Sequence, residues 1–231
     1  MPRIILIETS TALCSTAVEV DGRVVCSRQS DTPKSHAAMT APFIKEMLLE
    51  LGLRVQDCDA VCVSAGPGSY TGLRVGSSTA KGLCFGAGIP LIAAGTLDIL
   101  ARQGIEDGLV PEGCTAIVPM IDARRMEVYT APFSPAGLRL GPTQAKVVDS
   151  GTFADLTGDG SPVLFIGDGA AKCAPVINSP ASRFVQACPN AGAMALLAEE
   201  AFRAGKFENT AYFEPFYLKD FVATVSSKKL F

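Results

Sequence analysis

The apolar positions of this 231-residue chain follow two periods, and each period predicts elements. Residues 3–8 form a β-branched run, 15–20 a second and 23–27 a third, the last two joined by Asp21-Gly22, a dipeptide suited to a hairpin turn. The pattern predicts a three-stranded antiparallel opening. From 35 to 51 the period lengthens to that of a helix, with Met39, Phe43, Met47 and Leu51 four residues apart and Ile44 and Leu48 beside them. Pro42 is expected in its first turn or at a kink, because proline removes a helix donor. A buried strand over 60–65, a glycine loop over 66–69, a helix over 70–86 and a strand over 91–94 follow.

After a helix near 97–103 and a Gly/Pro-containing stretch over 104–113, the pattern partly restarts. Strands are expected over 115–121 and 126–133 around Asp122-Ala123-Arg124-Arg125, with a third over 145–148. A short helix over 152–156, a strand over 163–166 and a helix over 191–203 complete the second half. A three-strand meander followed by helix, strand, helix and strand, given twice, implies an α/β protein of two subdomains, 1–104 and a smaller 105–231. Each is a mixed sheet flanked by helices, the ribonuclease H-like arrangement of the actin-like ATPases (the ASKHA fold). The cleft between two such halves suits a nucleotide, with strand-end loops turned toward phosphates.

Composition narrows the function. A hydrophobic content of 48% supplies an ample core, while a net charge of −3 without a basic run argues against strong RNA binding by this chain alone. Its one basic cluster, Ser226-Ser227-Lys228-Lys229, is expected to be a solvated end. The eight cysteines sit among apolar neighbours, as Cys62 and Cys84 do, and are expected to be small core residues. Cys58 and Cys62 lack the second pair that a zinc ribbon needs, and no metal site is expected. The start carries no signal-peptide pattern, and the apolar stretch 82–95 is short and broken by Gly86, Gly88 and Pro90, so a cytoplasmic location without a membrane role is expected.

Two loops carry candidate chemistry. Glu8-Thr9-Ser10-Thr11 closes the first strand with a carboxylate and three hydroxyls, which suits phosphate or a metal-bound water, or equally a turn that satisfies its own backbone. Its counterpart in the second half is Asp122-Ala123-Arg124-Arg125, where a carboxylate beside two guanidiniums can meet an anion or form a solvated hairpin. The loop Gly66-Pro67-Gly68-Ser69-Tyr70-Thr71-Gly72 stands where a dinucleotide loop would, but its third glycine comes one residue late and no acid follows near 88–94. No Lys-Ser/Thr pair makes it a Walker A loop. The glycines permit a tight turn, and Ser69 is placed to cap the helix that begins beside it.

In that helix Gly72, Gly76 and Ala80 recur at four-residue spacing beside Ser77 and Thr79. Interior glycine costs about 1 kcal/mol relative to alanine, so a close backbone approach must compensate. The residues leave open whether that backbone belongs to this fold or to another chain. Met39, Phe43 and Met47 of the preceding helix add an adaptable apolar surface. His36 is the sole histidine, which rules out a histidine-rich metal centre, and no G-x-S-x-G elbow supports a hydrolase triad.

Ile7-Glu8-Thr9-Ser10, the run from Gly66 to Arg74, Ala80-Lys81-Gly82 and the run from Asp122 to Tyr129 together resemble the TsaB (YeaZ) family, and Pro215-Phe216-Tyr217-Leu218-Lys219 is similar to its C-terminal signature. The likeness covers about the first 130 residues in good order; from Pro132 to Tyr212 little is specific. It implies an actin-like ATPase fold and a non-catalytic role beside TsaD, which transfers threonylcarbamoyl to N6 of adenosine 37 in tRNA. In TsaD an H-x-x-x-H pair binds the catalytic metal, and the corresponding positions here are His36 and Thr40, so the second ligand is missing. The resemblance further implies that helices 35–51 and 70–86 form a bundle with TsaD, or a homodimer in its absence, with TsaE as a further partner and tRNA met only through the complex.

The interface so implied takes in His36, Met39, Phe43, Met47, Gly72, Arg74, Val75, Gly76, Thr79, Ala80 and Leu83. A vestigial nucleotide site would use Glu8, Thr9, Ser10, Thr11, Asp122 and Arg124, with ATP or ADP held at the joint with TsaD. Two features depart from the family: Glu8 stands where aspartate is usual, and only Gly167-Asp168-Gly169 resembles the glycine-rich adenosine segment. The alternatives are a free-standing ATPase or small-molecule kinase using Glu8 and Asp122, and a glycoprotease-type metallopeptidase, for which the chain supplies no peptidase site.

Overall fold

The computed structural model describes residues 1–219, so the basic cluster at 226–229 lies outside the described residues. The first lobe contains β1 (Arg3–Glu8), β2 (Cys14–Val20), β3 (Arg23–Ser30), α1 (His36–Glu50), β4 (Ala60–Gly66), α2 (Tyr70–Ala87), β5 (Leu91–Gly95) and α3 (Thr96–Glu106). Its sheet runs β3-β2-β1-β4-β5, with β1, β2 and β3 antiparallel and β4 and β5 parallel to β1. The second lobe contains β6 (Ala116–Asp122), β7 (Glu127–Thr130), β8 (Gln144–Val147), α4 (Ala154–Thr157), β9 (Val163–Ile166), α5 (Ala170–Ile177) and β10 (Arg183–Val185), and the chain then returns through α6 (Ala195–Arg203) to pack on the first lobe. The sheet of the second lobe runs β10-β9-β6-β7-β8, with the same meander and the same two parallel additions. The strand order of the first lobe is therefore repeated in the second, as the restarted pattern predicts.

Strand β1 is enclosed on both faces because its side chains alternate between two cores. Ile5 and Ile7 face Ile44, Met47, Leu48, Ala80 and Cys84 of α1 and α2, while Ile4 and Leu6 face Ala195 and Ala198 of α6. Helix α3 joins the lobes: Ile99 enters the first core, and Leu97, Leu100 and Ala101 pack with Ile117 and Ile121 of the second.

The strap-like segment 207–219 also belongs spatially to the first lobe. Glu208 N donates to Leu91 O at 2.8 Å, Phe216 N donates to Ala65 O at 2.7 Å, and Lys81 Nζ donates to the carbonyls of Ala211 and Phe213 at 3.1 Å each. It ends where Lys219 Nζ reaches both Glu127 oxygens, at 2.5 and 2.6 Å, across the lobes.

Several elements depart from the periodicity. The expected helix over 191–203 is a 3-10 turn, Gly192–Met194, leading into α6. Strand β7 ends at Thr130, and only Phe133 of the expected strand over 126–133 pairs again, as an isolated bridge to Ile117. Helix α5 and strand β10 have no sequence signal long enough to predict them, with eight and three residues and Pro175 inside the helix. Pro42 lies within α1, beyond its first turn, with its ring exposed. The eight cysteines are free thiols, and six of them are buried. Among the described residues no helix is long and apolar enough to cross a membrane.

Candidate functional site

Strand β1 and helix α2 meet through backbone. Gly72 lies so close to the end of β1 that an added Cβ would land on the Thr9 carbonyl oxygen, and one on Gly76 would land on the Thr9 hydroxyl. In return Thr9 Oγ1 donates to Gly72 O at 2.8 Å, and Ser69 N donates to Ser10 O at 2.6 Å. Ser69 Oγ accepts from Gly72 N at 3.3 Å, the N-cap its position predicts.

Glu8 is fully buried under this junction. Its carboxyl accepts from Ser10 N at 2.7 Å and from Ser10 Oγ at 3.2 Å, so its two oxygens are engaged within its own turn. Burial pushes the acid up to about 7, although the bonds from Ser10 and from Ser64 pull it down. Ser64, near the end of β4, is a partner too distant along the chain to leave a local signal in the sequence. Around the same loop His36 Nε2 lies 2.9 Å from Thr11 O, and Thr40 Oγ1 donates to His36 O at 2.6 Å. The Thr11 hydroxyl is buried without a partner.

The second lobe builds its loop from residues far apart in sequence. Arg124 and Arg125 both adopt left-handed backbone, with φ of 72° and 51°, a conformation unfavourable for residues with a Cβ. Five hydrogen bonds from three donor groups hold it. Arg124 N donates to Asp122 Oδ1 at 2.7 Å, Asp122 N donates to Asp168 Oδ1 at 2.8 Å, and Lys172 Nζ donates to Asp122 Oδ1, Arg125 O and Glu127 O at 2.6, 2.8 and 2.7 Å. All three ammonium hydrogens are thereby used. Burial raises Asp168 to about 6; the Asp122 charge adds to the rise, while the Asp122 amide and Lys172 oppose it.

Glu8 is occupied inside its turn, and Asp122 Oδ1 is taken by Lys172 and by the Arg124 amide. Among the described residues no three His, Cys, Asp or Glu side chains converge, so an all-protein metal cage is not built here. The Gly167-Asp168-Gly169 segment supports the Asp122 turn through the Asp168 carboxylate. Lys172 escaped prediction because its oxygen partners lie 45 to 50 positions earlier in the chain.

The two-helix face requires a correction. Gly72 and Gly76 are buried against Thr9 and β4 of this chain, Ala80 and Met47 lie in the first core, and Phe43 is buried as well. The close backbone that the small residues admit is Thr9 of the same fold, so this stripe is no bare docking surface. The reason is geometric: the inward stripes of α1 and α2 lie on the sheet, and only the opposite stripes remain outside. Of the remaining residues, Arg74 is exposed, and His36, Met39, Val75, Thr79 and Leu83 are half-buried.

The outward stripe of α2 runs through Thr71, Arg74, Ser78, Gly82, Phe85 and Gly86. Phe85 is 89% exposed, and Cβ atoms at Gly82 and Gly86 would meet nothing. On α1 the outward residues include Ala37, Ala41, Lys45 and Leu49, the last 77% exposed. A groove of about 510 Å³ between the helices is lined by Ala37, Tyr70, Arg74 and Ser78 among others. At its edge the Tyr217 ring lies 4.9 Å from that of Tyr70, and the Arg74 guanidinium stands 5.4 Å over Tyr70.

Comparison with known proteins places this geometry in a family. Residues 28–227 match the family model described as TsaD: tRNA N6-adenosine threonylcarbamoyltransferase. The chain is 35% identical over 131 residues to the tRNA threonylcarbamoyladenosine biosynthesis protein TsaB of Escherichia coli, covering 57% of this chain and 54% of that one. It is 34% identical over 128 residues to the Bacillus subtilis protein of the same name, covering 55% and 53%. The chain thus spans about half the length of the curated relatives it matches. Among solved structures, YeaZ from Pseudomonas aeruginosa superposes with a TM-score of 0.78 at 25% identity, over 94% of this chain and 100% of that one.

Proposed function

This chain belongs to the family that the TsaD model describes, within its TsaB/YeaZ group, and from that membership we propose that it is a non-catalytic accessory subunit for threonylcarbamoyl transfer to adenosine 37 of tRNA. It docks on TsaD through the outward faces of α1 and α2. In the absence of TsaD the same face pairs two copies of the chain, and TsaE joins the assembly. The tRNA is met through the complex, in keeping with a net charge of −3.

One observation carries the docking assignment: Phe85 and Leu49 are bared on adjacent helices beside two glycines with open space above them. A large aromatic beside sites that accept a knob from outside is the chemistry of a helix-packed interface core. The accessory role is supported by the two loops, where the Glu8 carboxyl is turned inward onto Ser10 and Asp122 Oδ1 is taken by Lys172 and by the Arg124 amide. We therefore assign any adenine nucleotide to the joint with TsaD rather than to this chain alone.

The test mixes the chain with TsaD of its own organism and measures their affinity, together with tRNA modification with and without the chain. Gly82→Arg combined with Phe85→Glu is expected to abolish the complex while leaving the far-ultraviolet spectrum and melting unchanged. Unchanged affinity in that variant would overturn the docking face. Equal tRNA modification without the chain, or ATP turnover by the isolated chain, would overturn the accessory role.

A further inference from the structure

The two lobes repeat one strand order, but the helix that follows the meander differs between them. In the first lobe α1 has 15 residues and seals its end of the sheet with Phe43, Ile44, Met47 and Leu48, all buried. Its counterpart α4 has 4 residues, none of them buried. Register fixes which sheet face α4 leaves uncovered. Thr130 of β7 stands opposite Gln144 of β8, and Val128 opposite Lys146, so all four side chains leave the same face. Val128 belongs to the second core beside Phe153, which places that face under α4. The uncovered end is a cavity of about 120 Å³ whose wall includes Thr130, Pro132, Lys146, Phe153 and Leu156. It shares no residue with the groove between α1 and α2.

The wall is mostly apolar and carries one cation. Phe153 is a fixed floor, buried and packed edge-on against Phe165 with ring centroids 5.4 Å apart. Pro132 and Gly141 close one end, where a Cβ on the glycine would stand 3.3 Å from the proline ring. Lys146 is half-buried with Nζ 5.2 Å over the Phe153 ring, and among the described residues no carboxylate lies within ion-pair distance of it. Thr130 is 2% exposed, and its hydroxyl is buried without a partner. An ammonium over an apolar floor and a hydroxyl with nothing to bond are both short of an oxygen. The other polar groups of the wall, Gln144 and the Asp155 carboxylate, belong to exposed residues.

We propose that this cavity binds a small monocarboxylate with a short apolar body, its carboxylate on Lys146 and Thr130 and its chain against Phe153, Pro132 and Leu156. The volume sets the size. A cavity of about 150 Å³ admits benzene, so about 120 Å³ suits a ligand of roughly six heavy atoms, the size of butyrate. Depth sets the sign: the Lys146 charge is partly withdrawn from water and acts at short range, whereas solvent screens the exposed Asp155. A ligand so placed completes the apolar cover that α4 leaves unfinished, and gives the ammonium and the hydroxyl the acceptor they lack.

The test titrates sodium butyrate, α-aminobutyrate and butylamine separately into the isotope-labelled full chain at constant ionic strength and reads the backbone amide shifts by NMR. Butyrate is expected to give saturable shifts centred on residues 130–132, 141–146 and 153–156, with a Kd of about 1 mM or tighter. Lys146→Met keeps the stem and is expected to weaken butyrate by about tenfold or more without lowering Tm, and Thr130→Val by about threefold. Asp155→Asn removes the opposing charge and is expected to tighten it by about twofold. No saturation by about 50 mM, unchanged affinity in Lys146→Met, or butylamine binding as tightly as butyrate overturns the proposal. Tighter binding of α-aminobutyrate that Asp155→Asn abolishes would mark a zwitterion site and overturn the monocarboxylate assignment. Should Thr130→Val fail to fold, the result for Lys146→Met decides.

Discussion

Thr9 donates its hydroxyl to the Gly72 carbonyl across 2.8 Å, tying the end of β1 to the first turn of α2 where the glycine leaves no room for a side chain. Gly72→Ala forces its new methyl into the Thr9 backbone, which has no rotamer with which to yield. The expected loss is about 3 kcal/mol of unfolding free energy, at or beyond the upper end of ordinary overpacking. Urea denaturation measures it. A loss below about 0.5 kcal/mol would mean that the helix can lift off the loop at little cost.

Ser69 caps α2 from the same junction. Ser69→Ala removes the acceptor for the Gly72 amide and is expected to cost about 1 kcal/mol, whereas Ser69→Asp keeps an acceptor and a helix-compatible charge and is expected to stay near the wild type. Thermal melts of the two variants side by side separate the cap from a mere packing effect.

Glu8 makes the stability of the chain depend on pH. Its acid is raised from 4.5 to about 7 in the fold, so the folded state holds the proton more tightly than the unfolded state does. The associated stability is present in full below about 4.5 and disappears as pH rises through about 7, a span worth on the order of 3 kcal/mol. Glu8→Gln is expected to flatten this part of the curve and to raise stability at pH 8 relative to the wild type. Denaturation midpoints from pH 4.5 to 8.5 test it, and a variant curve parallel to the wild type would show that Glu8 is ionised throughout.

Lys172 anchors the turn that holds Arg124 and Arg125 in left-handed backbone. Lys172→Met keeps most of the stem but removes three charge-assisted bonds, and about 2 kcal/mol of stability is expected to go with them. Adding Arg125→Gly, which suits positive φ, is expected to restore part of that loss. If the second change restores nothing, the turn is held by other contacts.

The placement of Gly76 bears on how docking is probed. A bulky residue there would strike Thr9 and Val63 inside the fold, so loss of a partner in such a variant would report unfolding. Gly82 and Gly86 stand four residues apart on the opposite stripe, where nothing of this chain is met.

Much of the architecture was legible in the sequence because local patterns specify it. The hairpin at Asp21-Gly22, the four-residue spacing from Met39 to Leu51, the Ser69 cap and the restart of the meander near residue 115 each depend on neighbours within a few positions. The same periodicity revealed that Gly72, Gly76 and Ala80 share a stripe, but a period fixes only which residues lie together. Whether the stripe met Thr9 or a foreign helix depended on where β1 ended in space, and only the tertiary structure decided that. It also brought Lys172 to Asp122, Lys219 to Glu127 and Glu199 to the Glu19 turn, over separations of 50, 92 and roughly 180 positions. Such contacts leave no local trace in sequence, because a charged side chain obeys the same solvation rules on an open surface until the fold brings its partner beside it.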